Sequence, residues 1–279
     1  MIDLVICGIR GRMGQTLVRL AAAHPDLRVI GGIDRAADAA DVADAADAAD
    51  AADAADAADA ATSDNVVTMA DAAELVRRAT VVVDFSAAAA TAVLLEQCGA
   101  ALATRALVVG TTGLEPHTQQ QLDALSGTAA VLSAANFSIG VNLLISLAER
   151  VAATLDGARY DVEIVEAHHR RKTDAPSGTA LALGDAIARG RTRALADVRR
   201  DGRSGQVGAR TEGEIGFHAV RGGGVVGEHH VMFIGERERI ELTHEAFDRA
   251  LFADGALTAA RWIAGRAPGR YTMHDVLAR

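Results

Sequence analysis

The chain has 279 residues, is half apolar with an aromatic share of only 3%, and carries a formal net charge of −9. That length accommodates two domains with cores built from Ala, Val, Leu and Ile, while the acidic balance without a basic stripe argues against a nucleic-acid partner, and no apolar run approaches the ~20 residues of a membrane span. Two distant cysteines, Cys7 and Cys98, argue against a disulfide scaffold or a thiolate metal site and for a reducing compartment. A cytoplasmic location is therefore expected, since the segment from Met1 to Gly8 reads as a strand rather than a secretory signal.

Residues 4–7 form a short β-branched run suited to a strand buried on both faces. A turn with glycines at 8, 11 and 14 follows, and then a helix-like pattern from Gln15 to Ala23. Strand, glycine turn and helix together make a phosphate site, because the backbone can approach a pyrophosphate and the helix-start amides point at it. Arg10 stands where the commoner spacing would place its second glycine. Residues 27–33 read as a second strand, ending at Asp34, an acid placed to accept from an adenosine ribose; Arg35 beside it could pair with a 2′-phosphate.

Residues 36–62 differ in kind. An Ala-Ala-Asp repeat places aspartates at 38, 41, 44, 47, 50, 53, 56 and 59. Alanine favours helix, but an acid at every third position walks around the axis and leaves no apolar stripe. An exposed helix or loop inserted after the second strand is expected, not a cation cage.

Beyond it the pattern alternates again: a helix over 70–78, a strand over 80–86, a helix over 87–98, a strand over 106–109, a glycine turn from Gly110 to Gly113, a helix over 115–125 and a strand over 129–133. Such alternation implies a parallel sheet with right-handed crossovers, whose ligands bind at the carboxyl ends of the strands. The groups expected there are Gly8 to Gly14, Asp34, Phe85, Gly110 to Thr112 and Ala134 to Phe137. A long helix over 139–155 then leads into strands over 160–167, 214–218, 227–235 and 239–243, which suggest an open mixed or antiparallel sheet. Residues 191–208 read as a polar surface loop, 246–264 as a helix with Trp262 on its apolar side, and 271–277 as the closing segment.

The densest chemistry lies in Glu166-Ala-His-His-Arg-Arg-Lys-Thr-Asp-Ala-Pro-Ser-Gly-Thr179. His168 to Lys172 form a cationic run in an acidic chain, and the Pro-Ser-Gly-Thr tail opens a helix, which is an anion-binding arrangement. Adjacent His168 and His169 are poor chelators and no His-Glu-x-x-His pattern exists, so no metal site is expected.

Together with Gly8-x-x-Gly-Arg-Met-Gly14, Val-Gly-Thr-Thr-Gly113, Ala-Asn-Phe-Ser138-x-Gly-Val-Asn142 and Val226-Gly-Glu-His229, this segment resembles the 4-hydroxy-tetrahydrodipicolinate reductase family over all of the chain but the repeat. The resemblance implies a Rossmann-like doubly wound parallel sheet at 1–137, a second α+β domain with an open mixed sheet at 138–244 for substrate binding and oligomerisation, and a segment at 245–279 returning to the first. It implies reduction of a cyclic dicarboxylate by NADH or NADPH, in a homotetramer. His168 and Lys172 would move protons, and His169, Ser177, Gly178 and Thr179 would hold substrate carboxylates. Gly8, Ile9, Arg10, Gly11, Arg12 and Met13 would hold the pyrophosphate, with Asp34 on the ribose and Arg35 on the 2′-phosphate. Gly110, Thr111 and Thr112 with Ala134, Ala135, Asn136 and Phe137 would line the nicotinamide. Three positions depart from the family pattern: Arg10 in the glycine turn, the missing proline after Phe85, and Glu245 where a basic residue is common. A different reading, a non-catalytic dinucleotide-binding regulator, would require loss of His168 or Lys172, and both are present.

Overall fold

The computed structural model describes residues 1–35 and 65–278, so the Ala-Asp repeat lies outside the described residues. The chain divides into two compact units, Met1–Phe137 with Phe252–Arg279, and Ser138–Leu251.

The first unit is a seven-stranded parallel sheet with helices. In chain order it comprises β1 (Ile2–Cys7), α1 (Arg12–Ala22), β2 (Leu27–Ile33), β3 (Val66–Val67), α2 (Ala72–Arg78), β4 (Val81–Asp84), α3 (Ala88–Leu102), β5 (Ala106–Val109), α4 (Pro116–Leu125) and β6 (Ala130–Ser133). The strand order is β12-β6-β5-β4-β1-β2-β3, where β12 (Gly269–Tyr271) is supplied from near the C-terminus. Leu4, Val5 and Ile6 are fully buried, as a strand covered on both faces requires. One face of the sheet packs Val5, Val82, Leu107 and Val131 against Leu75, Val76, Leu94, Leu102 and Leu122 of α2, α3 and α4. Two strands differ from the expectation. β3 has only two residues and β12 three, too short to show any alternation, and each exists because a neighbouring strand offers it a ladder.

The second unit holds α5 (Ile139–Thr154), β7 (Asp161–His168), α6 (Gly178–Gly190), α7 (Leu195–Val198), β8 (Arg199–Asp201), β9 (Ile215–Arg221), β10 (Gly227–Ile234) and β11 (Arg239–Ala246). Its five-stranded mixed sheet has the order β11-β10-β7-β9-β8. Residues 191–208 are not wholly loop: they contain α7 and β8, which pairs parallel to β9. The predicted helix at 246–264 is shorter, α8 (Ala250–Ile263), because Glu245 and Ala246 extend β11 against β10. Trp262 is half-buried with its ring edge-on to Tyr271 and Arg266 over its face, rather than packed in a core. The chain's last helical turn is α9 (Met273–Leu277). No helix among the described residues is long and apolar enough to cross a membrane.

Register in the second sheet decides which of its side chains meet. Side chains two apart on a strand share a face. Along β7 that face carries Val162, Ile164, Glu166 and His168; opposite them stand Phe233, Val231 and His229 of β10 and Ile215, Phe217, Ala219 and Arg221 of β9. The apolar half of this face joins Leu144, Ala148, Leu183 and Ile187 of α5 and α6 in the core. The other half is polar and titratable.

Candidate active site

In the first unit the sequence-predicted groups gather at the carboxyl ends of β1, β2, β4, β5 and β6. Gly8 adopts φ +76, and a Cβ there would meet the Phe85 carbonyl oxygen at 2.9 Å. A Cβ on Gly14 would lie 2.2 Å from the Gly8 carbonyl oxygen, so α1 can begin this close to the turn only with glycine. Helix α1 has Gly11 as its N-cap, no side-chain cap and no acid in its first turn. Its leading amides suit an anion such as a pyrophosphate. Asp34 is used in the turn itself: Oδ2 accepts from the Arg10 amide and Oδ1 from the Arg35 amide, each at 2.8 Å. The Arg10 guanidinium donates to the Arg35 carbonyl oxygen at 2.8 Å, so Arg10 braces the turn beside Asp34.

Buried Asp84, at the end of β4, accepts from the Ser86 amide and hydroxyl and from the Thr91 hydroxyl. Burial raises its pKa despite those bonds. This fixes the loop where the family proline is missing. The Phe85 ring stands against Phe137, with centroids 5.3 Å apart, and occupies the space a side chain on Gly110 would need. Thr111 is buried beside them, while Thr112 and Ala135 are exposed and Ala134 and Asn136 half-buried.

In the second unit the Glu166 to Thr179 segment ends β7, turns, and begins α6. Glu166 is 1% exposed. Its Oε2 lies 2.6 Å from His168 Nδ1, its Oε1 accepts from the Ser177 amide at 3.0 Å, and the Arg221 guanidinium donates to both oxygens at 2.7 Å. Burial pushes this carboxyl up, but Arg221, His168 and the Ser177 amide together hold it below the usual carboxylate range. Arg221 also donates to the Asp174 carbonyl oxygen at 2.7 Å, and Lys172 Nζ lies 2.8 Å from the Asp174 carboxylate.

Ser177 is the N-cap of α6. Its hydroxyl oxygen accepts from the Ala180 amide and shares a hydrogen bond with His229 Nε2 at 3.2 Å. Gly178 is exposed, with nothing within 4 Å of the place a Cβ would take, so the first turn of α6 is approachable. Thr179 is half-buried. The His229 ring stands edge-on to His168 at 5.2 Å, and burial, with His168 nearby, pushes its pKa down to about 3. His169 follows His168 directly, just past the end of β7. Burial first, then Arg171 and Arg249, lower its pKa, and its Nδ1 is buried with no partner in the protein. The neighbouring charges of Arg171, Arg249 and Lys172 make these surroundings suit an anionic ligand.

Sequence reasoning did not assign roles to Glu166, Arg221 or His229. A usable signal existed: each is a polar residue standing on the face of apolar partners two and four residues away on its strand.

A family model described as dihydrodipicolinate reductase, N-terminus, matches residues 2–137, and one described as dihydrodipicolinate reductase, C-terminus, matches residues 140–277. The 4-hydroxy-tetrahydrodipicolinate reductase of Myxococcus xanthus is 47% identical over 280 residues, covering 99% of this chain and 98% of that protein. That of Parvibaculum lavamentivorans is 45% identical over 277 residues, covering 99% and 97%. Among solved structures, a dipicolinate-bound dihydrodipicolinate reductase from Paenisporosarcina sp. TG-14 aligns with a TM-score of 0.71 at 25% identity, covering 98% of this chain and 97% of that one.

Proposed function

Because the chain belongs to the 4-hydroxy-tetrahydrodipicolinate reductase family, oxidoreductases of lysine and diaminopimelate biosynthesis, we propose that His168 and Lys172 are the proton-handling groups of that reduction. The overall step adds a hydride and a proton to the cyclic substrate and releases water. NADH or NADPH supplies the hydride. Gly8 to Met13 hold its pyrophosphate, and Asp34 accepts from the ribose while its other lone pairs keep the turn closed. Arg35 meets the 2′-phosphate when there is one. Gly110 to Thr112 and Ala134 to Phe137 flank the nicotinamide. Asp34 favours a free ribose and Arg35 a phosphorylated one, so these two residues pull in opposite directions between NADH and NADPH.

The substrate is a dianion. The α6 amides at Gly178 and Thr179, the Ser177 hydroxyl and His169 receive its carboxylates, with Lys172 supplying charge. An imidazole can give a proton from one ring nitrogen while the other stays bonded, and His168 has its Nδ1 bonded to Glu166. The observation that carries the reading is that His168, His169, Lys172 and the start of α6 are carried by one turn, whose ends are tied together through Glu166. Exposed apolar side chains of the second unit, Leu143, Leu147, Val207, Val220, Ile240 and Phe247, support self-association as a homotetramer. The buried free thiols Cys7 and Cys98 support a cytoplasmic setting.

The test is a coupled assay with synthase-generated substrate, following cofactor oxidation in wild type, His168→Ala and Lys172→Ala. Each variant is expected to lose about 10²–10⁴-fold in kcat. Full activity in both would overturn the assignment, and an inactive wild type that still binds dinucleotide would favour the regulator.

A further inference from the structure

We propose that Glu166 is the positioning residue of this site: one ionised carboxylate, paired with Arg221, that sets the tautomer of His168 and ties it to the turn holding Lys172 and the start of α6. The inference rests on the reading of His168 as the proton-handling group.

Glu166 stands in line with Val162 and Ile164 on the core face of β7, between His229 of β10 and Ala219 of β9. An acid in such a position is unfavourable unless it is paired and fully hydrogen-bonded. It is. A carboxylate offers about four acceptor directions, and four donors occupy them: His168 Nδ1 and Arg221 Nη1 on Oε2, Ser177 N and Arg221 Nη2 on Oε1.

Two consequences follow. An ionised carboxylate only accepts, so His168 must present N–H at Nδ1. When the ring is neutral, its lone pair is therefore at Nε2. That nitrogen faces Gly227, where a Cβ would lie only 3.1 Å from it, so glycine at 227 leaves the reacting nitrogen uncrowded. When the ring is protonated, the proton to be given sits at the same Nε2, and the carboxylate behind Nδ1 supports the positive charge.

The second consequence is mechanical. Arg221 reaches from Glu166 to the carbonyl oxygen of Asp174, whose carboxylate holds Lys172, and Glu166 itself holds the amide of Ser177. The proton group and the carboxylate-binding turn therefore share one anchor. Neutral His229, between His168 and Ser177, completes the contact without adding a competing charge. Glutamine at 166 would be the right size and the wrong chemistry: its amide nitrogen must face either the His168 side or the Ser177 side, and donors already stand at both.

The tautomer can be read directly. Long-range ¹⁵N–¹H spectra of ¹⁵N-histidine-labelled wild type, with His168→Gln for assignment, should show His168 in its neutral form carrying its proton on Nδ1. Glu166→Gln, folded by circular dichroism, should show mixed or inverted tautomers. It should also lose about 10²-fold or more in kcat, in line with other carboxylates that orient a histidine, with cofactor KM unchanged. Glu166→Asp, which keeps the charge but withdraws it by one methylene, should recover part of kcat. A wild-type His168 protonated on Nε2 would overturn the proposal whether or not Glu166→Gln folds. So would a folded Glu166→Gln with wild-type kcat. The tautomer is independent of turnover, so an active His168→Ala would sink the assignment of His168 while leaving this measurement interpretable.

Discussion

Asp34 and Glu166 are both acids at the carboxyl end of a strand, one in each unit. Asp34 is half-buried and holds two backbone amides of a glycine turn. Glu166 is buried and holds a guanidinium, an imidazole and a helix-cap amide. The parallel-sheet unit makes its surface from backbone brought close by glycine, with side chains in support. The mixed-sheet unit makes its surface from buried charge, with backbone in support. The contrast fits what each binds in the proposed reaction: a cofactor that only has to be held, and a dianion to which a proton must be delivered at a defined atom.

If the contrast is correct, the second unit should fail by loss of charge partners. Arg221→Met leaves Glu166 buried without its cation, and unpairing a buried ion typically costs about 3–5 kcal/mol. The urea midpoint should fall accordingly, and a shift worth less than about 1 kcal/mol would break the comparison.

Acid should separate the units next. Glu163, on the opposite face of β7, is bonded by Arg203, Arg210 and His218. Burial raises its pKa, but these partners outweigh it and bring it from 4.5 down to about 2. A carboxyl depressed on folding stabilises above its unfolded pKa, and that contribution is lost as pH falls from 4.5 toward 2, on the order of 3 kcal/mol. Asp84 has the opposite sign: its folded pKa is raised, so acidification does not penalise the fold there. Hydrogen exchange should show β7 and β9 amides losing protection over that window before those of β1 and β4, and Glu163→Gln should flatten the slope. Simultaneous loss in both sheets would count against the distinction.

The smallest effect concerns the glycines. Gly14→Ala places a methyl against the Gly8 carbonyl oxygen, and overpacking of this kind costs about 1–3 kcal/mol. Its melting temperature and dinucleotide affinity should both drop. Gly178→Ala meets open space and should leave the melting temperature within a degree or two, about what a near-neutral surface change produces. Equal destabilisation by both would mean that the glycines do not differ in the way their surroundings imply.

Much of this molecule is readable along the chain. Buried parallel strands, the turn at Gly8 to Gly14, and the Glu166 to Thr179 segment are local patterns, set by periodicity, by glycine's freedom and by the opening of a helix. Those signals need only neighbours within a few residues. What they could not show is who pairs with Glu166. Arg221 lies 55 residues away and arrives because β9 runs parallel to β7 in the register that sets His168 opposite Arg221. His229 arrives because β10 runs antiparallel and sets it opposite Glu166. The strands β3 and β12 likewise exist only through the ladders their neighbours offer. The sequence by itself determined which residue types and turns each element carries, because those follow from local backbone preference and burial. Only the tertiary structure decided that an acid, a guanidinium and two imidazoles share one end of one sheet face, because strand register is a long-range choice made by the whole apolar face at once.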